Sequence, residues 1–329
     1  MTERRLEESV PEALDGERVD RVVALVAAVS RREATALIET AAVLLNDRPA
    51  VKGSQRVAAG DRLQVTHLVR DERPRADAAV PLPVVYADDT VLIVDKPAGL
   101  VVHPGAGNPD GTLVAAVLAR YPAVADVGDP ARPGIVHRLD KGTSGLLMVA
   151  LTDRAHRDLS RQLRARTVER RYRTLVAGIV EADSGTVDAP LGRSPANPAT
   201  RAVVADGKPA RTTYRVVRRG EIAGVGPITE LTCRLETGRT HQIRAHLQAI
   251  GHPVVGDPVY GGPELGSAAP PLDRPFLHAE RLGFRHPRHG DAVAWDSRLP
   301  ADLAAVAGAI AEQPVAGPQR HGPGSGTLD

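Results

Sequence analysis

The period of the apolar positions changes several times along the chain, and each change predicts an element. Val19, Val22, Val23 and Val26 recur at helical spacing. Ser30 then precedes Glu33 by three residues, the spacing of a reciprocal serine–glutamate cap. It predicts a second helix with Ala34, Leu37, Ile38 and Ala41 on one face. Val43-Leu44-Leu45 reads as a short strand, Asn46-Asp47 as a turn and 61–65 as a further strand. Together these make a small module over residues 17–66. The polar segment 1–16 is expected to be loosely ordered. Residues 67–83 are charged, contain proline and lack periodicity, so they read as a linker.

A second unit begins at Val84 and is expected to run to residue 312. Val91-Leu92-Ile93-Val94 predicts a buried strand, 95–99 a turn, and Leu100-Val101-Val102 a resumption of the strand. Residues 112–119 read as a helix and 146–151 as a strand. Thr152 is placed to cap a helix reaching about Ala165, with Ala155, Leu159 and Leu163 as its apolar stripe. Arg154, Arg157, Arg161 and Arg164 fall on another face of that helix. Strands follow at 171–179, 211–217 and 229–236. A helix over 241–250 is ended by Gly251 and Pro253. The Gly- and Pro-rich tail 313–329 is expected to be disordered. Helices and strands alternate without a strict βαβ rhythm, which predicts an α+β fold with a mixed, largely antiparallel sheet.

Composition narrows the function classes without choosing one. With 329 residues, 42% hydrophobic and 25% charged, the chain has room for two globular units. A net charge of +2 is not that of a non-specific nucleic-acid coat, so any basic surface must be local. Eight arginines between Arg154 and Arg173 supply one such stretch. The single cysteine, Cys233, excludes an internal disulfide and a cysteine-based zinc site, and it fits a reducing, cytoplasmic setting. The N-terminus lacks the apolar core of a secretory signal, and no apolar run is long enough to cross a membrane. No HExxH, P-loop or dinucleotide fingerprint is present, so no metal or nucleotide cofactor is expected.

Three clusters concentrate chemistry. In the first, 134–145, Asp140 stands among cations at Arg138 and Lys141, between two apolar runs. A charged aspartate there can act as a nucleophile or stabilise positive charge, although spacing alone fits a structural ion pair in a surface loop better. In the second, 237–244, a Gly-bearing turn brings Arg239, His241 and Arg244 to a helix N-terminus, where anions are favoured. Solvated arginines on a capped helix fit that spacing better. In the third, Tyr172 lies on a strand among cations and can stack on a base or simply pack in the core.

Taken together and in order, the motifs resemble the RluA-type family of RNA pseudouridine synthases. His137-Arg138-Leu139-Asp140 with Thr143-Ser144-Gly145 is similar to the family's catalytic motif. The stretch from Asp95-Lys96-Pro97 to His103-Pro104 is similar to its opening motif, Arg171-Tyr172-Arg173 to its tyrosine strand, and 237–244 to its third motif. Gly251-His252-Pro253 with the 256–261 stretch resembles a loop that follows. The likeness spans roughly 84–300, and residues 17–66 resemble an S4-type RNA-binding domain. Ala41 and Asp47 stand where that pattern usually has glycine, and Ala42 where it often has a basic residue.

The resemblance implies isomerisation of uridine to its C-glycoside within RNA, without cofactor or metal. Ribosomal RNA of the large subunit is the expected substrate, with transfer RNA as the alternative. Asp140 would be the essential carboxylate, Tyr172 would stack on the target base and assist proton transfer, and Arg244 would pair with Asp140. Arg138 would fill the place of the flipped uridine, and Leu139, Thr143, Ser144, His241 and Gln242 would shape the substrate pocket. Arg31 and Arg32 of the small domain would meet phosphates, and by spacing the Arg154, Arg157, Arg161 and Arg164 face either does the same or is simply a solvated helix face. The enzyme is expected to act as a monomer, away from any membrane. A non-catalytic RNA binder and a glycosidic hydrolase are the competing classes. The first has no use for the whole Asp140, Tyr172 and Arg244 set, and the second wants a partner carboxylic acid that the motifs lack.

Overall fold

A computed structural model describes residues 2–69, 73–105, 107–198 and 200–312. The expected disordered tail, 313–329, lies outside the described residues. The chain divides into two compact units, 1–72 and 73–329.

The first unit contains β1 (Thr2–Ser9), α1 (Val19–Val26), α2 (Arg31–Glu39), β2 (Val43–Leu45), β3 (Arg48–Pro49) and β4 (Arg62–Val69). Its sheet runs β1-β4-β2-β3, all antiparallel. Val19, Val22 and Val23 of α1 pack with Ala34 and Ile38 of α2 over Val43, Leu63 and Val65, so the apolar stripes close one core. The Ser30–Glu33 capping box forms as the spacing predicts.

Two expectations change here. Residues 2–9 are not loose: β1 pairs along its whole length with β4. Only Leu6 in this segment is a large aliphatic residue, so its order comes from backbone ladder bonds and the Arg62–Glu7 ion pair, which leave no periodic signal. For the same reason β4 runs on to Val69, into the segment read as linker, and the division between units falls after Glu72.

The end of α2 also departs from the usual chemistry. Ala41 adopts φ 55° and closes a Schellman turn, in which the Ala42 N–H reaches the Leu37 carbonyl at 2.9 Å and the Ala41 N–H reaches Ile38 at 3.1 Å. Asn46 and Asp47 are left-handed as well. Ala41 and Asp47 therefore keep the backbone that glycine would favour and bear its steric cost.

The second unit contains β5 (Val84–Ala87), β6 (Val91–Lys96), α3 (Leu113–Arg120), β7 (Ser144–Ala150), α4 (Asp153–Arg164), β8 (Glu169–Ala177) and β9 (Ser184–Asp188). Then come β10 (Leu191–Arg193), β11 (Arg201–Val203), β12 (Arg211–Ile222), β13 (Gly226–Leu235), α5 (Gln242–Ala249), β14 (Leu277–Arg285), β15 (Ala292–Asp296), α6 (Ala301–Gly308) and β16 (Ala311–Glu312). One sheet runs β16-β12-β13-β8-β14-β7-β6-β5, with β9 paired to β12 and β15 to β14. Every pairing in it is antiparallel except β14 with β7. This is the α+β class with a mixed, largely antiparallel sheet.

Leu100-Val101-Val102 does not resume β6. The chain turns, and the Val101 and Val102 carbonyls instead accept the amides of Leu113 and Val114 at the start of α3. Only Val102 of this run is buried, under the start of α3, while Leu100 and Val101 are half-exposed, a pattern that periodicity cannot separate from a strand.

Candidate active site

The loop bearing Asp140 is fastened along both flanks. It starts at Gly134, where φ is 72° and a Cβ would lie 2.6 Å from the Ala150 carbonyl, so only glycine fits. The Gly134 carbonyl accepts the Ala150 amide, and three residues on, His137 Nε2 accepts the Met148 amide at 3.1 Å. A neutral imidazole is required for that, and desolvation pushes His137 down to about 3. The loop then turns back into β7, the Thr143 N–H meeting the Asp140 carbonyl at 3.1 Å.

On the other flank the Lys141 carbonyl accepts the Gly99 amide at 2.8 Å. Fully buried Lys96 places Nζ 2.9 Å from the Pro97 carbonyl, 2.8 Å from Leu100 and 3.4 Å from Lys141, tying the 97–100 turn to the Asp140 loop. Burial pushes its pKa down to about 7, with Asp140 pulling the other way.

Sheet order brings Tyr172 beside this loop. On β8 it pairs with Cys233 of β13 and Ala279 of β14, and Ala279 pairs in turn with Gly145 of β7. The β14–β7 approach is so close that a Cβ on Gly145 would lie 2.3 Å from the Ala279 carbonyl oxygen. Tyr172 is buried, and burial raises its pKa, with Arg170 opposing and Asp140 reinforcing. Among the described residues its hydroxyl has no hydrogen-bond partner.

Arg244 arrives from the first turn of α5. The helix is entered through His241 in the left-handed conformation, φ 56°. Arg244 donates from Nη1 to Asp140 Oδ2 at 3.2 Å, and from Nε and Nη2 to the two oxygens of Asp257 at 2.6 and 2.8 Å. Burial works against its charge, but the bonds to Asp257 and the field of both carboxylates outweigh it and raise its pKa. The guanidinium also lies 4.9 Å from the centre of the Tyr260 ring, whose hydroxyl is 3.0 Å from His241 Nδ1. Asp140 Oδ1 is left without a protein partner among the described residues and is free to face the cleft.

The cleft over these groups has a volume of about 630 Å³, within the range of small-molecule sites. Asp140, Tyr172 and Arg244 all line it, with Arg138, Leu139, Thr143 and His241. Two expected substrate contacts change. Ser144 is buried away from the cleft, its Oγ 3.0 Å from His278 Nδ1 and 3.3 Å from Arg274 Nη1. Gln242 spends its whole amide on the protein: its oxygen accepts from Thr237 and Arg239, and its nitrogen donates to Arg211 and Thr212. It lines the cleft while fixing the turn that aims α5, its amide hydrogen-bonding capacity engaged by the protein.

Arg31 lies 3.3 Å from Asp20, which also takes Arg18, while Arg32 is exposed. On α4, Arg161 pairs with Asp158, and Arg154, Arg157 and Arg164 have no carboxylate partner among the described residues. Lys96, Arg170, Asp257 and Tyr260 belong to the site and went unassigned in the sequence reading. Lys96, Asp257 and Tyr260 stood inside recognised motifs, which were the available signal. Among the described residues no cluster of His, Cys, Asp and Glu is placed to hold a metal ion, and no helix is long and apolar enough to cross a membrane.

A part-buried carboxylate–guanidinium pair beside a tyrosine, in a cleft on a mixed sheet, is the geometry of a candidate active site built around one carboxylate. Residues 90–249 match the family described as RNA pseudouridylate synthase, and residues 17–63 match the S4 domain. The chain belongs to the RNA pseudouridylate synthase family, whose reaction is the isomerisation of uridine in RNA. It is similar to "Ribosomal large subunit pseudouridine synthase D" of Nitrosomonas europaea, 46% identical over 95% of this chain and 90% of that one. The protein of the same name from Xanthomonas campestris is 42% identical over 92% of each chain. Among solved structures, "Human RNA Pseudouridylate Synthase Domain Containing 1" matches with a TM-score of 0.53 and 29% identity, covering 69% of this chain and 86% of that one.

Proposed function

We propose that this enzyme isomerises uridines of large-subunit ribosomal RNA, with Asp140 as the catalytic carboxylate, Tyr172 as the base-stacking group and Arg244 as the residue that orients Asp140. The convergence of these three side chains on one cleft carries the reading. The names of the similar bacterial proteins support ribosomal RNA as the substrate.

The chemistry asks little of the protein beyond placement. The C1′–N1 bond breaks, the uracil turns, and a C1′–C5 bond forms; the proton on C5 leaves and N1 gains one, so no atom is gained overall. Asp140 Oδ2 is held by Arg244, leaving Oδ1 to act on the nucleotide. Tyr172 stacks on the uracil while it turns, and its unbonded hydroxyl serves the proton transfer. Arg138, exposed at the rim, takes the place of the flipped uridine in the RNA. Leu139, Thr143 and His241 shape the pocket. Arg32, at the start of α2, contacts phosphate from the small unit, and Arg31 shares that role while tied to Asp20. The enzyme works as a monomer in the cytoplasm.

Tritium release from ribosomal and transfer RNA carrying 5-tritiated uridine tests this, with Asp140→Asn alongside. Release from large-subunit RNA that disappears in the variant is expected. Release from transfer RNA alone would move the substrate, and release by the variant would remove Asp140 from its role.

A further inference from the structure

Beside the cleft lies a second, larger groove of about 1050 Å³. One wall is the polar face of α4, with Arg154, Arg157 and Arg164. The other is the turn between β14 and β15, with Pro287 and Arg288. The groove and the cleft share His156, Ser160 and Arg164, so they adjoin along α4.

Its charge is unbalanced in a specific way. Asp158 is inside the groove, but its two oxygens are taken by Arg161 and Gln162. Arg288 is bound to Asp89. Arg154, Arg157 and Arg164 are exposed and have no carboxylate partner among the described residues. They span about 15 Å along the helix axis, roughly four nucleotides of a stacked strand. A solvated helix face would need neither the opposite wall nor the shared border with the cleft.

We infer that this groove is a phosphate track that holds the RNA strand flanking the target uridine, the strand passing at Arg164 from the groove to the cleft. The inference rests on the functional reading above for its direction but not for its test. The cleft seats the reacting nucleotide. The groove fixes its register through backbone contacts that read no sequence. Recognition of the neighbouring nucleotides is thus delegated to RNA shape, and the Arg154, Arg157 and Arg164 guanidiniums supply affinity.

The test is binding of fluorescein-labelled oligouridylate, measured by anisotropy over a range of salt concentrations. Wild type is compared with the triple variant R154Q/R157Q/R164Q and with R120Q/R215Q/R234Q, which removes the same charge from residues lining neither depression. Loss of three phosphate contacts lowers the slope of log affinity against log salt by about 2 and the affinity by about tenfold or more. The control should change the slope by less than about a quarter of that, and R154K/R157K/R164K should keep most of it. A groove variant that matches wild type, or a control that loses as much, overturns the track. Thermal melts confirm that each variant is folded. The outcomes separate from those of the functional reading. Slope loss in a protein that releases no tritium leaves the track standing without the function. Normal tritium release with an unchanged slope does the reverse. Failure of folded wild type to bind RNA overturns both.

Discussion

Replacing Asp257 by Asn tests whether the geometry of Arg244 is what makes Asp140 useful. Asp257 is fully buried and holds Arg244 through two bonds, while the third reaches Asp140. Breaking a buried pair by removing one partner costs about 3–5 kcal/mol. Asparagine keeps the volume and one acceptor, which places the loss near the lower end, about 3 kcal/mol. At about 2–4 °C per kcal/mol for a unit of this size, the melting temperature should fall by about 6–12 °C. Against a total stability of about 5–15 kcal/mol, the variant stays folded at room temperature. The guanidinium is then free to tilt, and a misplacement of about 1 Å in a catalytic group costs about 100-fold in rate. Single-turnover tritium release, measured well below the melting transition, should show kcat reduced by about 30- to 100-fold with KM within about threefold. A folded variant whose kcat stays within about threefold of wild type would refute this, leaving Asp257 as a support for the fold alone.

Other outcomes follow from the same structure. Asp140→Asn should abolish tritium release while RNA affinity in a filter-binding assay stays within about fivefold, since phosphate contacts are untouched. Tyr172→Phe keeps the stacking ring and removes the unbonded hydroxyl; a drop in kcat of about 100-fold is expected, and a change under about threefold would reduce the residue to a stacking platform. His137 has its folded pKa depressed to about 3. Below the unfolded value near 6.5 only the unfolded chain takes up this proton, so stability is lost as pH falls, by about 1.4 kcal/mol per unit. His137→Gln, which keeps an acceptor for the Met148 amide, should therefore show a shallower decline of melting temperature between about pH 6.5 and 4.5 than wild type. Ala41→Gly relieves the left-handed strain at the end of α2 and should raise the stability of the first unit by about 0.5–1 kcal/mol in denaturant melts.

Much of the architecture was legible because its signals are local. The Ser30–Glu33 cap, the Thr152 start of α4, the fully buried strand β7 and the helix leading from His241 depend on residues within a turn or two of each other. The motifs around Asp140, Tyr172 and 237–244 identified the family, and with it the candidate carboxylate, tyrosine and arginine. What they left open was contact. Ser144 and Gln242 stand within recognised motifs, yet Ser144 faces inward and Gln242, at the cleft wall, spends its amide on the scaffold.

The tertiary structure decided the rest. β1 exists because β4 offers it a ladder more than fifty residues away, and no pattern in 2–9 announces that. Lys96 ties two loops through carbonyls that any residue carries, so its partners have no signature in side chains. Arg244 meets Asp140 across a separation of 104 residues, and Asp257 meets Arg244 only because the loop after α5 folds back beneath it. By itself the sequence determined the locally signalled elements, the family and the candidate reacting groups, since periodicity, capping and motif chemistry are short-range properties. Which carboxylate holds the arginine, which oxygen stays free, and where the arginines of α4 face a second wall were decided by packing. Only a closed core brings distant side chains to fixed distances in a medium where unpaired charge is costly.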